Sequence, residues 1–328
     1  MRAVVLSGAG GPEVLEIREV PDPRPGPDEV LVRVRASALN RADLLQRRGL
    51  YPAPPGAPAD VPGLEYAGEI EACGERVQSL KRGERVMGIL GGGGHAEQVV
   101  VHERSCLRIP PGFSWEQAAA VPEAFLTGYD ALFRAGRLAA GEVVLVQAAA
   151  SGVGLATLQL AVLAGGRVVG LCRSADKRAR LAALGPFHVL DPGLPDLGDA
   201  VRLAAGADGV DLAIDLIGAP AWSFHADVLR ERGRLVVLGL LGGARTEIDL
   251  GTLLRKRLTV VGSILRSRGP EEKVELVQEF ALRILPLLAA GRIAPVVDSV
   301  FDLSEVARAH ARMERNENLG KIVLRIAR

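Results

Sequence analysis

From residue 1 to about 120, apolar positions come in short alternating runs: AVVL, VLEIREV, EVLVRVRASAL, GEIEAC, ERVMGIL, AEQVVVH and CLRIP, each closed by Gly, Pro or a polar cluster. Brief strands and turns at this spacing predict a barrel-like, mainly β unit over residues 1–120. Near residue 115 the pattern changes, and WEQAAAVPEAFLTGYDALFRAG reads as helical. The continuous apolar run EVVLVQ then has the character of a buried parallel strand. After it come a helix over residues 152–164, RVVGL, a helix over 176–184, HVL, a helix over 198–204 and VDLAIDL. A helix over 220–230, RLVVLGL and LTVVG complete the series. Such alternation predicts a doubly wound parallel sheet of the dinucleotide-binding type over 121–265. The tail, 266–328, reads as a long amphipathic helix (EEKVELVQEFALRILPLLAAG), a strand (VVDSVFDL), a helix (EVARAHARMERN) and a last strand, KIVLRI. That strand resembles the first domain's strands in type and is placed back among them. The predicted class is α/β, with the parallel sheet inserted into the mainly β domain.

Composition narrows the function. A chain of 328 residues exceeds the usual limit of one core, and two domains sharing a cleft are expected. Forty Lys and Arg against 39 Asp and Glu leave a net charge of +1, which supplies no basic field for nucleic acid. Cys73, Cys106 and Cys172 are odd in number and form no CxxC pair, which argues against a disulfide framework or structural zinc and for a reducing cytoplasm. MRAVVLSGAGG lacks the pattern of a signal peptide, and no apolar run is long enough to span a bilayer. A soluble protein acting on a small molecule is the expectation.

The turn Ala148 to Gly154 (AAASGVG) lies between EVVLVQ and a helix, where a G-x-G-x-x-G fingerprint belongs. Only Gly154 matches; Ala149 and Ser151 replace the other glycines, and Gly152 is additional. Small residues still let a pyrophosphate approach the backbone, and the helix start offers free N–H groups and a positive dipole end. At the tip of the second strand an NAD enzyme carries Asp or Glu. Here RVVGL runs into Cys172, Arg173 and Ser174, with Lys177 one turn later, a set suited to a 2′-phosphate and hence to NADPH. Solvated surface charge is the competing reading of Arg173 and Lys177. Ile217–Gly218 and the glycine turn 239–243 follow strands, either as part of a ligand-bearing edge or as plain turns.

Several stretches carry a resemblance: ASALNRADLLQRRGLYPAPPGA, PGLEYAGEI, AAAVPEAFLTGYDAL, AAASGVG, LGLLGG, SILRSR and NENLGKIVL. Together they resemble the zeta-crystallin-like quinone oxidoreductases of the medium-chain dehydrogenase/reductase superfamily, most of all the branch typified by the tumour-suppressor-inducible quinone oxidoreductase. The resemblance covers nearly the whole chain. It implies a GroES-like catalytic domain, a Rossmann domain, NADPH as hydride donor, a quinone as acceptor, and a homodimer, or a tetramer, paired through LTVVG. It further implies that Thr127, Ala150, Ser151, Gly152 and Val153 contact the cofactor. Gly170, Ser174 and Lys177 would surround the ribose phosphate and Ile217 the adenosine. Leu240, Leu241, Ser263, Ile264 and Leu265 would border the nicotinamide, with Asn318 and Lys321 closing the cleft. Asp191 stands where the similar branch has a tyrosine on the ribose phosphate, which weakens the NADPH preference.

Zinc alcohol dehydrogenases of this superfamily carry Cys, His and Cys ligands where this chain has Asn40, Leu64 and Glu123; Leu64 cannot coordinate zinc, and the structural-zinc lobe is missing. No metal is expected, and the five histidines are given surface or packing roles. A quinone needs no metal to accept hydride, and positioning supplies most of the catalysis. Asn40 is placed beside the acceptor to donate a hydrogen bond, and Tyr51, in a loop with five prolines over residues 51–62, to stack or donate its O–H. As alternatives, Asn40 is a turn residue and Tyr51 a loop anchor. Competing functions are an NADPH-dependent enoyl or alkenal reductase and a non-catalytic or RNA-binding zeta-crystallin-like protein.

Overall fold

The computed structural model, which describes residues 1–206 and 208–326, opens with β1 (Arg2–Leu6) and β2 (Leu15–Glu19), paired antiparallel. In β3 (Glu29–Ala38), Val30, Val32, Val34 and Ala36 alternate inward and are buried, as their spacing requires. The helix α1 (Arg41–Arg47) follows, then β4 (Glu65–Cys73), β5 (Arg85–Ile89), β6 (Gln98–His102), β7 (Leu107–Arg108) and the helix α2 (Trp115–Ala119). These belong to a compact unit formed by Met1–Leu126 and the chain from Leu265 onward.

The second unit is Thr127–Ile264. The helix α3 (Pro122–Tyr129) runs into a π-helical turn, Asp130–Ala135. Strand and helix then alternate: β8 (Val143–Val146), α4 (Gly152–Leu163), β9 (Arg167–Leu171), α5 (Ala175–Leu184), β10 (His188–Leu190), α6 (Leu197–Ala205) and β11 (Val210–Asp215). They are followed by α7 (Trp222–Val228), β12 (Leu229–Val237), α8 (Leu250–Lys256) and β13 (Thr259–Gly262). The sheet order is β10-β9-β8-β11-β12-β13, with every pairing parallel. Central β8 and β11 are buried at every position, because helices cover both faces. The order reverses beside β8, and the carboxyl ends of such strands are where this architecture receives ligands.

The chain then returns to the first unit through α9 (Pro270–Arg283), α10 (Leu285–Ala289), β14 (Val297–Asp302), α11 (Val306–Glu314) and β15 (Lys321–Arg325). Its seven-stranded sheet runs β14-β15-β3-β4-β5-β7, with β6 also on β3. β15 pairs antiparallel with β3, Val323 opposite Ala38, so this strand returns to the first unit, as its type predicts.

Three local expectations are corrected. The long helix over 271–291 breaks at Ile284 (φ −111°), since Pro286 has no N–H to continue the ladder. The expected helix 220–230 ends at Val228, and β12 starts five residues earlier than RLVVLGL, with Arg232 left-handed at φ +62° and an irregularity opposite Val210–Leu212. The helices α1 and α8 were not expected: each is short, with too few turns to show a periodic face.

Gly154 sets how closely α4 approaches β8. A Cβ there would sit 2.5 Å from the Ala148 carbonyl oxygen and 2.9 Å from the Ala149 Cα, both backbone atoms. Gly154→Ala should therefore lower stability by about 1–3 kcal/mol; an unchanged urea midpoint would mean that the turn has room to spare.

Candidate active site

In the second unit the turn after β8 is shaped by its own backbone. Ala148 is left-handed (φ +47°), the Ser151 N–H donates to the Ala148 carbonyl at 2.8 Å, and the Ala149 N–H donates to the Leu171 carbonyl at 3.0 Å. Ser151 caps α4, its Oγ accepting from the Gly154 N–H at 3.0 Å. Gly152 and Val153 are the first two residues of the helix, so their N–H groups have no carbonyl one turn back to bond. Gly170 in β9 faces this turn, where an added Cβ would lie 3.0 Å from the Ala149 Cβ.

At the end of β9, Ser174 caps α5, accepting from the Lys177 N–H at 3.4 Å, while Arg173 is exposed and Lys177 half-buried. Arg178, which no sequence motif singles out, reaches the Cys172 carbonyl (2.9 Å), the Arg173 carbonyl (2.7 Å) and the Asp191 carboxylate (2.8 Å). Asp191 also accepts from the Gly193 N–H at 2.9 Å. Its charge is thus paired within the fold. At the end of β11, Asp215 accepts from the N–H groups of Ile217 (2.7 Å) and Gly218 (3.0 Å), fixing that loop. Leu240, Leu241 and Ile264 are exposed, Thr127 is half-buried, Ala150 is buried, and the Ser263 hydroxyl donates to Asp130 at 2.6 Å.

The first unit holds a different set. Glu65 in β4 is fully buried and pairs with the Lys321 ammonium of β15 at 2.6 Å. Lys321 also donates to Asn40 Oδ1 at 2.6 Å and to the Leu39 carbonyl at 3.0 Å. Asn40 Nδ2 donates to Glu65 (2.8 Å) and to the Ala38 carbonyl (3.3 Å), and the Glu123 N–H at the start of α3 donates to the other Glu65 oxygen at 2.8 Å. Asp43 accepts from the Asn40 N–H (2.7 Å) and the Gly63 N–H (3.0 Å). Burial raises the Glu65 carboxyl, opposed by Lys321 and by the Glu123 and Asn40 donors.

Lys321 is only 4% exposed and its ammonium donates to Glu65, Asn40 and the Leu39 carbonyl, all within the catalytic unit. Asn40 is 9% exposed with both Nδ2 hydrogens committed, which leaves no free N–H for an acceptor. Asn318 is half-buried, donates to the Gly320 carbonyl at 2.7 Å and shapes the turn into β15. Leu265 is buried in the first unit.

Tyr51 is half-buried, its ring 4.9 Å from the Arg266 guanidinium. Arg266 donates to the carbonyls of Tyr51 (3.0 Å) and Gly91 (2.8 Å) and to the Gln46 side chain (2.6 Å). That brace was not legible beforehand, because SILRSR lies more than two hundred residues from Tyr51. Among the histidines, His95, His225 and His310 are packed inside, with His95 Nδ1 bonded to Ser37 at 2.9 Å and its basicity lowered by burial.

Comparison with known proteins places this architecture. Two family models match: Alcohol dehydrogenase GroES-like domain over residues 26–111, and Zinc-binding dehydrogenase over 152–281. The chain is 36% identical to a quinone oxidoreductase of Pseudomonas aeruginosa over 98% of its own length and 99% of the relative's. The chain belongs to the zeta-crystallin-like quinone oxidoreductases of the medium-chain dehydrogenase/reductase superfamily. The family also brings in the rat synaptic vesicle membrane protein VAT-1 homolog, 34% identical over 99% of this chain and 84% of that protein. Among solved structures, an Escherichia coli quinone oxidoreductase complexed with NADPH superposes with a TM-score of 0.90, at 29% identity over 99% of this chain and 100% of that one. The chain is an oxidoreductase that uses a nicotinamide cofactor.

The residues fit that cofactor and do not fit zinc. The turn from Ala150 to Gly154 presents helix N–H groups and no side chain larger than that of Val153. At the zinc-ligand places of related alcohol dehydrogenases, Leu64 is buried and apolar, and Asn40 already faces the Lys321 ammonium. Among the described residues no group of three His, Cys, Asp or Glu is arranged to hold a metal. No helix among them is long and apolar enough to cross a membrane.

Removing Lys321 should leave Glu65 charged, buried and unpaired. Lys321→Met is expected to cost about 3–5 kcal/mol, and the double variant Glu65→Gln/Lys321→Met markedly less. Equal urea midpoints for the single and double variants would show that the pair is not coupled.

Proposed function

We propose that the protein is a zinc-independent NADPH:quinone oxidoreductase. The observation that carries this is the pairing of Asp191 with Arg178 beside Arg173, Ser174 and Lys177, which removes the free carboxylate that would repel a 2′-phosphate. Arg173, Ser174 and Lys177 then hold the phosphate, Ser151 to Gly154 the pyrophosphate, and Thr127, Gly170 and Ile217 the flanking groups. Leu240, Leu241, Ser263, Ile264 and Leu265 border the nicotinamide, which supplies hydride when bound. Tyr51 stacks on the quinone, its ring steadied by Arg266, and its hydroxyl has no partner among the described residues. Three free cysteines support a reducing cytoplasm as its compartment. The exposed edge strand β13, with Val260 outward, supports a homodimer.

Lys177→Ala should raise the Kd for NADPH about tenfold or more while that for NADH moves less than about twofold, as read by quenching of nicotinamide fluorescence. Equal losses for both coenzymes would remove the phosphate from this site. Steady-state turnover of NADPH with 1,2-naphthoquinone, set against a 2-alkenal, tests the acceptor. Activity confined to the alkenal would make the protein an enoyl-type reductase instead.

A further inference from the structure

Glu65 and Glu123 are neighbours in the first unit, joined by the Glu123 backbone N–H on the Glu65 carboxylate at 2.8 Å, and their surroundings differ. Glu65 is fully enclosed, paired with Lys321 and holds the Glu123 backbone N–H. The Glu123 side chain is half-buried, with no hydrogen-bond partner for its carboxyl among the described residues. Around it stand the charged and titratable groups of every neighbouring element: Glu65 of β4, Lys321 of β15, Asp43 of α1, Arg266, Lys273 of α9, and the Tyr51 hydroxyl. Two of the cations are already engaged, Lys321 with Glu65 and Arg266 with Gly91, Gln46 and Tyr51, while Lys273 donates to the Arg266 carbonyl at 2.8 Å. Two like charges this close do not both ionise readily, and the one with the dedicated cation keeps its charge.

We propose that Glu123 is a catalytic acid, whose carboxyl meets the acceptor beside Tyr51 and donates the proton that completes its reduction. This rests on the quinone reductase reading. Hydride delivery adds two electrons and one hydrogen to the quinone and leaves a hydroquinone monoanion. The O–H bond of Glu123 then breaks, its proton closes the second hydroquinone O–H, and the carboxylate takes a replacement proton from water. Burial first, and the Glu65 charge second, push the Glu123 carboxyl up to about 8, so it stays protonated at neutral pH. A phenolate with a pKa of about 10 is basic enough to take that proton. Asn40, Lys321 and Glu65 act as positioning residues: they keep the competing carboxylate charged and facing inward.

The test is the pH dependence of kcat/KM for 1,2-naphthoquinone in the wild type, Glu123→Gln and Glu123→Asp, with NADPH Kd measured in parallel. Wild-type kcat/KM should fall as pH rises through about 8, because the acid is then lost. Glu123→Gln should lose about 100-fold and abolish that limb, Glu123→Asp should restore part of both, and NADPH Kd should stay within about threefold. A glutamine variant with wild-type rate and pH limb would overturn the proposal. Infrared difference spectra of the resting enzyme separate this from the acceptor question. If the wild type binds NADPH yet reduces no quinone, the functional reading fails. A protonated-carboxyl band that titrates near pH 8 and vanishes in Glu123→Gln would still support the acid, and its absence would overturn it.

Discussion

The buried ion pair between Glu65 and Lys321 is the contact on which the catalytic unit is organised. A lone carboxylate in that interior would be unstable by several kcal/mol, so β4 and β15 must come together for either charge to be tolerated. The same carboxylate receives the Asn40 side chain and the first turn of α3. One oxygen pair thereby fixes the turn after β3, the entry to α3 and the last strand at once. A negative charge at a helix start is also favourable in itself, since the helix dipole presents its positive end there.

The chemistry is divided between the two units by the kind of group each supplies. The parallel sheet contributes backbone: N–H groups at the start of α4, a glycine with no room for a side chain, and loops pinned by Asp215 and Arg178. The catalytic unit contributes side chains: an aromatic ring held under a guanidinium, and two carboxyl groups in unequal surroundings. In a zinc alcohol dehydrogenase a metal would polarise the substrate. Here Leu64 fills one ligand place with hydrocarbon, and the Lys321 ammonium already satisfies the charge that a cation would need.

How far the sequence could be read depended on whether a contact was local. The strands β3, β8 and β11 announced themselves through alternation or unbroken apolar runs, and the turn at Ala148 to Gly154 through its place between a strand and a helix. The pairing of Lys321 was not legible, because its partners Asn40 and Glu65 lie more than two hundred and fifty residues earlier and no spacing rule joins them. Asn40 was expected to donate to an acceptor or to shape a turn; its amide N–H groups go to Glu65 and the Ala38 carbonyl, contacts that no local pattern announces. Arg178 was passed over because an arginine on an exposed helix reads as solvated, and only the carbonyls at the end of β9 show why it points back. The break at Pro286 was local, and a stricter reading of proline inside a helical pattern would have found it.

The chain order of β15 has a consequence for how the protein is made. β3 pairs along one stretch with β6 and along another with β15, and the whole second unit lies between β3 and β15 in sequence. Until β15 is made, the catalytic unit therefore waits with the end of β3 unpaired and Glu65 without its ammonium, while the nucleotide-binding unit, contiguous from Thr127 to Ile264, can complete itself. A chain that stopped short of β15 would therefore hold one finished half and one whose enclosed carboxylate lacked its counter-ion.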